Sequence, residues 1–154
     1  MTALNIVLRD ASGSVAEIAP SLGFNCHRFA VPYQQTLLEV LWRAPDFLER
    51  KGRASHSGVP ILFPFPGRLP GQSLQWQGKA YELGSDDGRG NAIHGFVHTR
   101  PWRVLSQSDS RVVGQFHAWQ DDPSLKQRWP ADFRITATYE LAGSSLKMHY
   151  RMEN

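Results

Sequence analysis

Cysteine is almost absent: the chain holds one, Cys26, among 154 residues. A lone thiol forms no internal disulfide and no multi-cysteine zinc site, which suits a reducing compartment. Long apolar runs are missing too. The opening stretch Met1-Thr2-Ala3-Leu4-Asn5-Ile6-Val7-Leu8-Arg9-Asp10 has no basic n-region, and Asn5 breaks it before a long apolar run forms. A secretory peptide or a transmembrane helix is therefore not expected, and the expected location is cytoplasmic. Charge of one sign is scarce: 17 Lys and Arg stand against 14 Asp and Glu, for a net +3. The basic residues are scattered rather than in runs, so no nucleic-acid partner is expected. With no internal repeat and no low-complexity linker, residues 1–154 read as one domain, a size for which a substantial core is attainable.

Helix-length periodic segments are nearly absent as well. What recurs instead is short runs rich in Val, Ile, Thr, Phe, Trp and Tyr, punctuated by Gly and Pro, which predicts an all-β fold. The clearest case lies near the C-terminus. Phe133, Ile135, Ala137, Tyr139 and Leu141 alternate with polar residues. After Ala142-Gly143-Ser144 the alternation resumes at Leu146, Met148, Tyr150 and Met152. Period-two patterning on both sides of a Gly-containing turn predicts an antiparallel hairpin with one buried face. Further strands are expected at 15–18, 23–30, 37–42, 102–106 and 111–119, a tight hairpin at 74–83 turning at Gln77-Gly78, and a single helical turn at 45–50. Two long loops, 51–71 and 84–100, separate these elements. Loops of that length in a compact domain are commonly functional.

Those loops carry a resemblance. Gly58-Val59-Pro60-Ile61-Leu62-Phe63-Pro64-Phe65-Pro66-Gly67-Arg68-Leu69 resembles the aldose 1-epimerase (galactose mutarotase) pattern of Gly-x-Pro, an apolar pair, Phe-Pro and a following Arg. Gly71, Trp76, Gly78 and Tyr81 are similar to that family's next hairpin. Asn91-Ala92-Ile93-His94-Gly95-Phe96, trailed by Pro101-Trp102, is similar to its Asn-x-x-His-Gly motif, and Trp129-Pro130-Ala131-Asp132-Phe133 continues in the family's order.

The resemblance implies antiparallel sheets forming part of a galactose-mutarotase-like β-supersandwich, and a monosaccharide (hexose) substrate with no cofactor. Members interconvert the α and β anomers of a free sugar: a base takes the C1 hydroxyl proton while an acid protonates the ring oxygen, which favours histidine and a tuned carboxylate. By the same resemblance His94 is the catalytic histidine near the ring oxygen, and both His94 and Arg68 bind substrate. Gly67 stands where the family commonly has Asn, so no sugar contact is expected from that position. Gly95, without a side chain, would let a sugar approach the backbone closely. The family's second histidine and its glutamate base have no counterpart here. Residues 1–154 are thus expected to be a truncated, N-terminal half-domain, inactive alone, with an unpaired strand open to self-association. A non-catalytic carbohydrate-binding module is the alternative. Another is a hexose-phosphate mutarotase, for which Arg68, Arg89 and Arg100 form no obvious cationic cluster. His98, four residues after His94, has no third ligand at a suitable spacing, so no metal is expected. The five tryptophans are expected mostly in the core, and Cys26 is expected to be inert.

Overall fold

The computed structural model describes residues 5–84 and 86–154. Twelve strands are assigned among these residues: β1 (Ile6–Arg9), β2 (Val15–Ala19), β3 (Asn25–Tyr33), β4 (Thr36–Glu39), β5 (Arg68–Leu69), β6 (Ser73–Trp76), β7 (Lys79–Glu82), β8 (Ala92–Ile93), β9 (Arg103–Gln107), β10 (Arg111–His117), β11 (Arg134–Ala142) and β12 (Ser145–Glu153). Among the described residues helix is confined to one α-turn at Ala118–Asp121 and short 3-10 turns. No described helix is long and apolar enough to cross a membrane.

Two four-stranded antiparallel meanders, β1-β2-β3-β4 and β12-β11-β10-β9, face each other across one core. Alternation explains which side chains meet there. Ile6, Leu8, Ala16 and Ile18 point inward from the first sheet, and Val112, Phe116, Ile135, Ala137, Tyr139 and Leu141 from the second. Phe24 lies between them, stacked on Trp102 at 5.6 Å and tilted against Tyr139 at 5.5 Å. The Tyr139 hydroxyl donates to the Phe24 carbonyl at 3.1 Å and the Trp102 indole N–H to the Val97 carbonyl at 3.2 Å, so both polar side-chain groups of this aromatic layer are satisfied. Cys26 is fully buried, and burial pushes its thiol up to about 12, the condition of an inert structural cysteine.

The expected C-terminal hairpin forms, with Arg134 opposite Glu153 and Ala142 opposite Ser145. Its buried face needs correcting. On β11 the apolar face is buried throughout, but on β12 Leu146 and Tyr150 are half-buried while Met148 and Met152 are 43% and 55% exposed. The reason is position in the sheet: β11 has a neighbour on each side, whereas β12 is the edge strand. The strand at β1 was missed because Asn5 hides a four-residue run with two inward positions.

A polar knot closes the first sheet. His27 is fully buried on β3. Its Nδ1 accepts from the Arg43 guanidinium at 3.0 Å, so Nε2 carries the proton and donates to Asn5 Oδ1 at 2.8 Å. Asn5 in turn donates to Glu17, which also pairs with Arg28 at 2.8 Å. Burial, then the Arg43 charge, pull the His27 imidazole down to about 4, so it is neutral at physiological pH.

Candidate functional site

The two long loops converge because their apolar residues are pinned to the same core. In the first, Ile61 and Phe65 are buried, and Phe63 meets Phe133 edge-on at 4.9 Å. The start of this loop is tied to β3, where the Val59 N–H donates to the Cys26 carbonyl and Asn25 donates to the Ser57 carbonyl. In the second, Phe96 and Val97 are buried, with Phe96 against Phe65 and Trp129. The loops then join directly. Phe63 and Gly95 form a parallel bridge, the Phe96 N–H donates to the Phe63 carbonyl at 2.8 Å, and β5 pairs with β8 so that Arg68 lies opposite Ile93.

Past that ladder, His94 and Gly67 clasp each other through two hydrogen bonds. The His94 N–H donates to the Gly67 carbonyl at 2.9 Å, and the Gly67 N–H donates to His94 Nδ1 at 3.2 Å. Because Nδ1 accepts, the neutral ring carries its proton on Nε2. Protonating Nδ1 would set two donors face to face. Burial, then the charges of Arg68, His56 and Arg53, also lower the His94 pKa below the usual histidine value. The result is a neutral imidazole with a fixed tautomer and an Nε2–H available as donor. Both partners hold left-handed backbones, φ 64° at His94 and 70° at Gly67. Glycine and asparagine are the residues that adopt this conformation most readily, so Gly67 preserves the backbone geometry that asparagine would supply.

His94 lines a cavity of about 220 Å³ with Arg53, Ser55, Asp86, His98 and Thr99. That is below the ~300 Å³ at which small-ligand pockets usually begin, so it encloses only part of a monosaccharide. The His98 ring meets the His94 ring edge to face at 6.0 Å, and burial pulls its pKa down to about 4. No group of three or more His, Cys, Asp or Glu is placed to hold a metal ion among the described residues.

Arg68 is next to His94 in the ladder but does not line this cavity. Its Nε donates to Asp87 Oδ2 at 2.7 Å, while its side chain stays 52% exposed and that of Asp87 is fully buried. The structure therefore brings the two expected residues together, with Arg68 held at the rim. The expectation for Gly95 is overturned. The space a side chain would fill is occupied by the Phe63 carbonyl, so this glycine permits loop–loop contact and opens no face to a sugar. Arg100 is bound to Asp122 at 2.6 Å. Trp102 is buried, Trp119 and Trp129 are half-buried, and Trp42 and Trp76 are exposed, so the aromatic-core expectation holds for only some of them.

Sequence reasoning missed Arg53, His56, Asp86 and Asp87. Asp87 had a readable signal: an Asp-Gly pair four residues before Asn91 is the pattern of a side-chain-capped turn.

The sequence profile of the family described as aldose 1-epimerase matches residues 5–154. The chain belongs to that family. Among solved structures, the Slr1438 protein of Synechocystis sp. PCC 6803 is 27% identical with a TM-score of 0.79, covering 100% of this chain and 50% of that one. A galactose mutarotase-like protein of Clostridium acetobutylicum is 25% identical with a TM-score of 0.73, covering 92% of this chain and 43% of that one. A Salmonella typhimurium protein provisionally named glucose-6-phosphate 1-epimerase is 28% identical over 105 residues, 67% of this chain and 30% of its own length. The chain thus spans about half the length of the solved relatives it matches, and less of the curated one. Membership places it in a family of sugar epimerases with an antiparallel β fold.

Proposed function

We propose that this aldose 1-epimerase family member binds the anomeric end of a free hexose at His94 and serves the interconversion of its α and β anomers. The observation that carries this reading is the clasp between Gly67 and His94: with Nδ1 occupied by a main-chain donor, Nε2–H is the one ring proton free to meet a ring oxygen. In that role the neutral imidazole supports ring-oxygen protonation as the C1–O5 bond opens. The aldehyde then rotates about C1–C2 and closes on the other face. Arg68, half-exposed beside it, supplies planar donors for adjacent hydroxyls. No cofactor enters this chemistry. The single buried thiol suits the reducing cytoplasm as the place where it happens.

Residues 1–154 supply His94 and, on the same cavity wall, Asp86. His98 lines the same cavity but is assigned no acid role, and no glutamate base is assigned. General acid or base assistance typically contributes ~10²–10⁴-fold each, so slow anomer exchange by this chain alone is expected. Polarimetry of fresh α-D-galactose with the purified chain tests this. A fast reaction abolished by His94→Ala and by Asp86→Asn would make Asp86 the base and overturn the expectation. Binding without turnover is the outcome that favours a carbohydrate-binding module.

Because the cavity is small and open, monosaccharide affinity is expected to be millimolar, about −4 kcal/mol. Arg68→Ala should weaken it several-fold in ligand-observed NMR. Binding indifferent to both Arg68→Ala and His94→Ala would place the sugar elsewhere.

A second reading, a phosphorylated hexose, is favoured by the charge around His94. Arg53 lines the cavity, and both Arg53 and His56 act on the imidazole. The name of the Salmonella relative points the same way. Glucose 6-phosphate binding tenfold tighter than glucose, lost in Arg53→Ala, would establish it.

Self-association is proposed through β12, an edge strand of nine residues that leaves Met148 and Met152 exposed. Light scattering should show a concentration-dependent dimer that Met148→Lys removes. A monomer at all concentrations would refute it.

A further inference from the structure

Asp87 makes four contacts from a side chain with no exposed surface. Its Oδ1 accepts the N–H groups of Arg89 at 2.8 Å and Asn91 at 3.2 Å. Its Oδ2 accepts the Asn91 amide at 3.1 Å and the Arg68 Nε at 2.7 Å. One oxygen thus folds the turn that leads into β8 and His94, and the other grips the half-exposed Arg68. These hydrogen bonds keep the carboxylate ionised far into the acid range, although burial alone would raise its pKa. The pairing is asymmetric, a buried anion behind a half-exposed cation.

Two physical consequences follow. A guanidinium held at Nε loses much of the rotamer freedom that a long exposed side chain otherwise gives up on binding, so its outer edge is preorganised. A buried carboxylate behind it also cancels its charge locally. The edge then offers N–H donors with little net attraction for an anion, and a phosphate placed there would meet the Asp87 charge at short range.

We infer that Asp87 is the positioning and specificity residue of the Arg68 subsite: it fixes the guanidinium and neutralises it, so that this subsite takes the hydroxyls of an uncharged hexose and disfavours a phosphate. The inference rests on the hexose reading above. It differs from the phosphate reading in placing any phosphate away from Arg68, on the Arg53 side of His94.

The test is a double-mutant cycle read by ligand-observed NMR with galactose and glucose 6-phosphate on the full chain. Asp87→Asn retains an oxygen for the Arg89 and Asn91 N–H groups while removing the charge behind Arg68. It is expected to weaken galactose about fivefold and to strengthen glucose 6-phosphate relative to galactose by at least the same factor, the scale of one ordinary hydrogen bond. In an Arg68→Ala background the same substitution should change neither ligand by more than about twofold, since its partner is gone. Equal losses for both ligands, or an undiminished loss in the Arg68→Ala background, would reduce Asp87 to a structural turn residue and overturn the inference. Should Asp87→Asn fail to fold, Arg68→Lys serves instead. It keeps the positive charge without the Nε donor, and it should lose galactose about as strongly; affinity equal to the parent overturns the inference. If the unsubstituted chain binds no hexose, the underlying sugar reading fails. Hexose binding that depends on Arg68 but not on Asp87 refutes this inference alone.

Discussion

Gly95→Ala is expected to cost about 4 kcal/mol in stability and to abolish hexose binding. A Cβ at this position would collide with the carbonyl carbon and oxygen of Phe63 and stand 2.7 Å from the Pro64 nitrogen. All of these are backbone atoms, so no side chain can rotate away. Relief requires opening the Phe63–Gly95 bridge and the Phe96-to-Phe63 hydrogen bond, two of the contacts that hold one long loop to the other. The left-handed φ of 63° adds its own strain for a residue with a side chain. Gly90→Ala is the matched control. Its φ of 81° is also left-handed, yet a Cβ there meets nothing within 4 Å, so only about 1 kcal/mol should be lost. Urea denaturation followed by tryptophan fluorescence measures both. Equal costs at the two positions would show that the loops are not joined as described.

Acid should weaken the fold well before its carboxylates titrate. His27 and His98 are both pulled down to about 4, in each case chiefly by burial, against about 6.5 in an unfolded chain. Between those values the unfolded state binds more protons than the folded one, so stability falls as pH is lowered from about 6.5 towards 4 and is fully present above that window. At 1.36 kcal/mol per pH unit the two histidines together account for a loss on the order of 6 kcal/mol by pH 4. His94, also lowered, adds to the loss in the same direction. Glu17, Asp122 and Asp132 have pKa values below the ordinary carboxylate values, so their contributions are retained through this window and lost only at lower pH. Denaturation midpoints at pH 7, 6, 5 and 4 should therefore fall steeply for the parent chain, and His27→Gln should flatten the decline by about half. A parent profile flat to pH 4 would mean the His27 knot opens readily enough to take up a proton.

Much of this architecture was legible from alternation alone, because a half-buried strand writes its two faces into neighbouring residues. β11 is the clearest case: every second residue from Ile135 to Leu141 is in the core. The same code misleads on β12, where the apolar side of the pattern is real but the strand sits at the sheet edge. Periodicity reports which face is apolar and is silent on what covers it. The site was legible differently. His94 and Arg68 came from motif order, and the two-residue strands that set them side by side, β5 and β8, are too short for any periodic signal. Arg53 and Asp86 could not be found that way, since each reaches the His94 cavity from a loop position with no pattern of its own. Asp87 was hidden for another reason. Acidic residues are usually exposed, and only the four donors converging on this one make its burial affordable.

The clasp at position 67 has a corollary. The imidazole's protonation form is dictated by an amide of the main chain, which no substitution short of proline deletes. What position 67 must supply to this histidine is therefore a backbone path, left-handed at φ 70°, with no polar side chain required. Asparagine in place of Gly67, able to take the same left-handed φ, would leave the same proton on the same nitrogen.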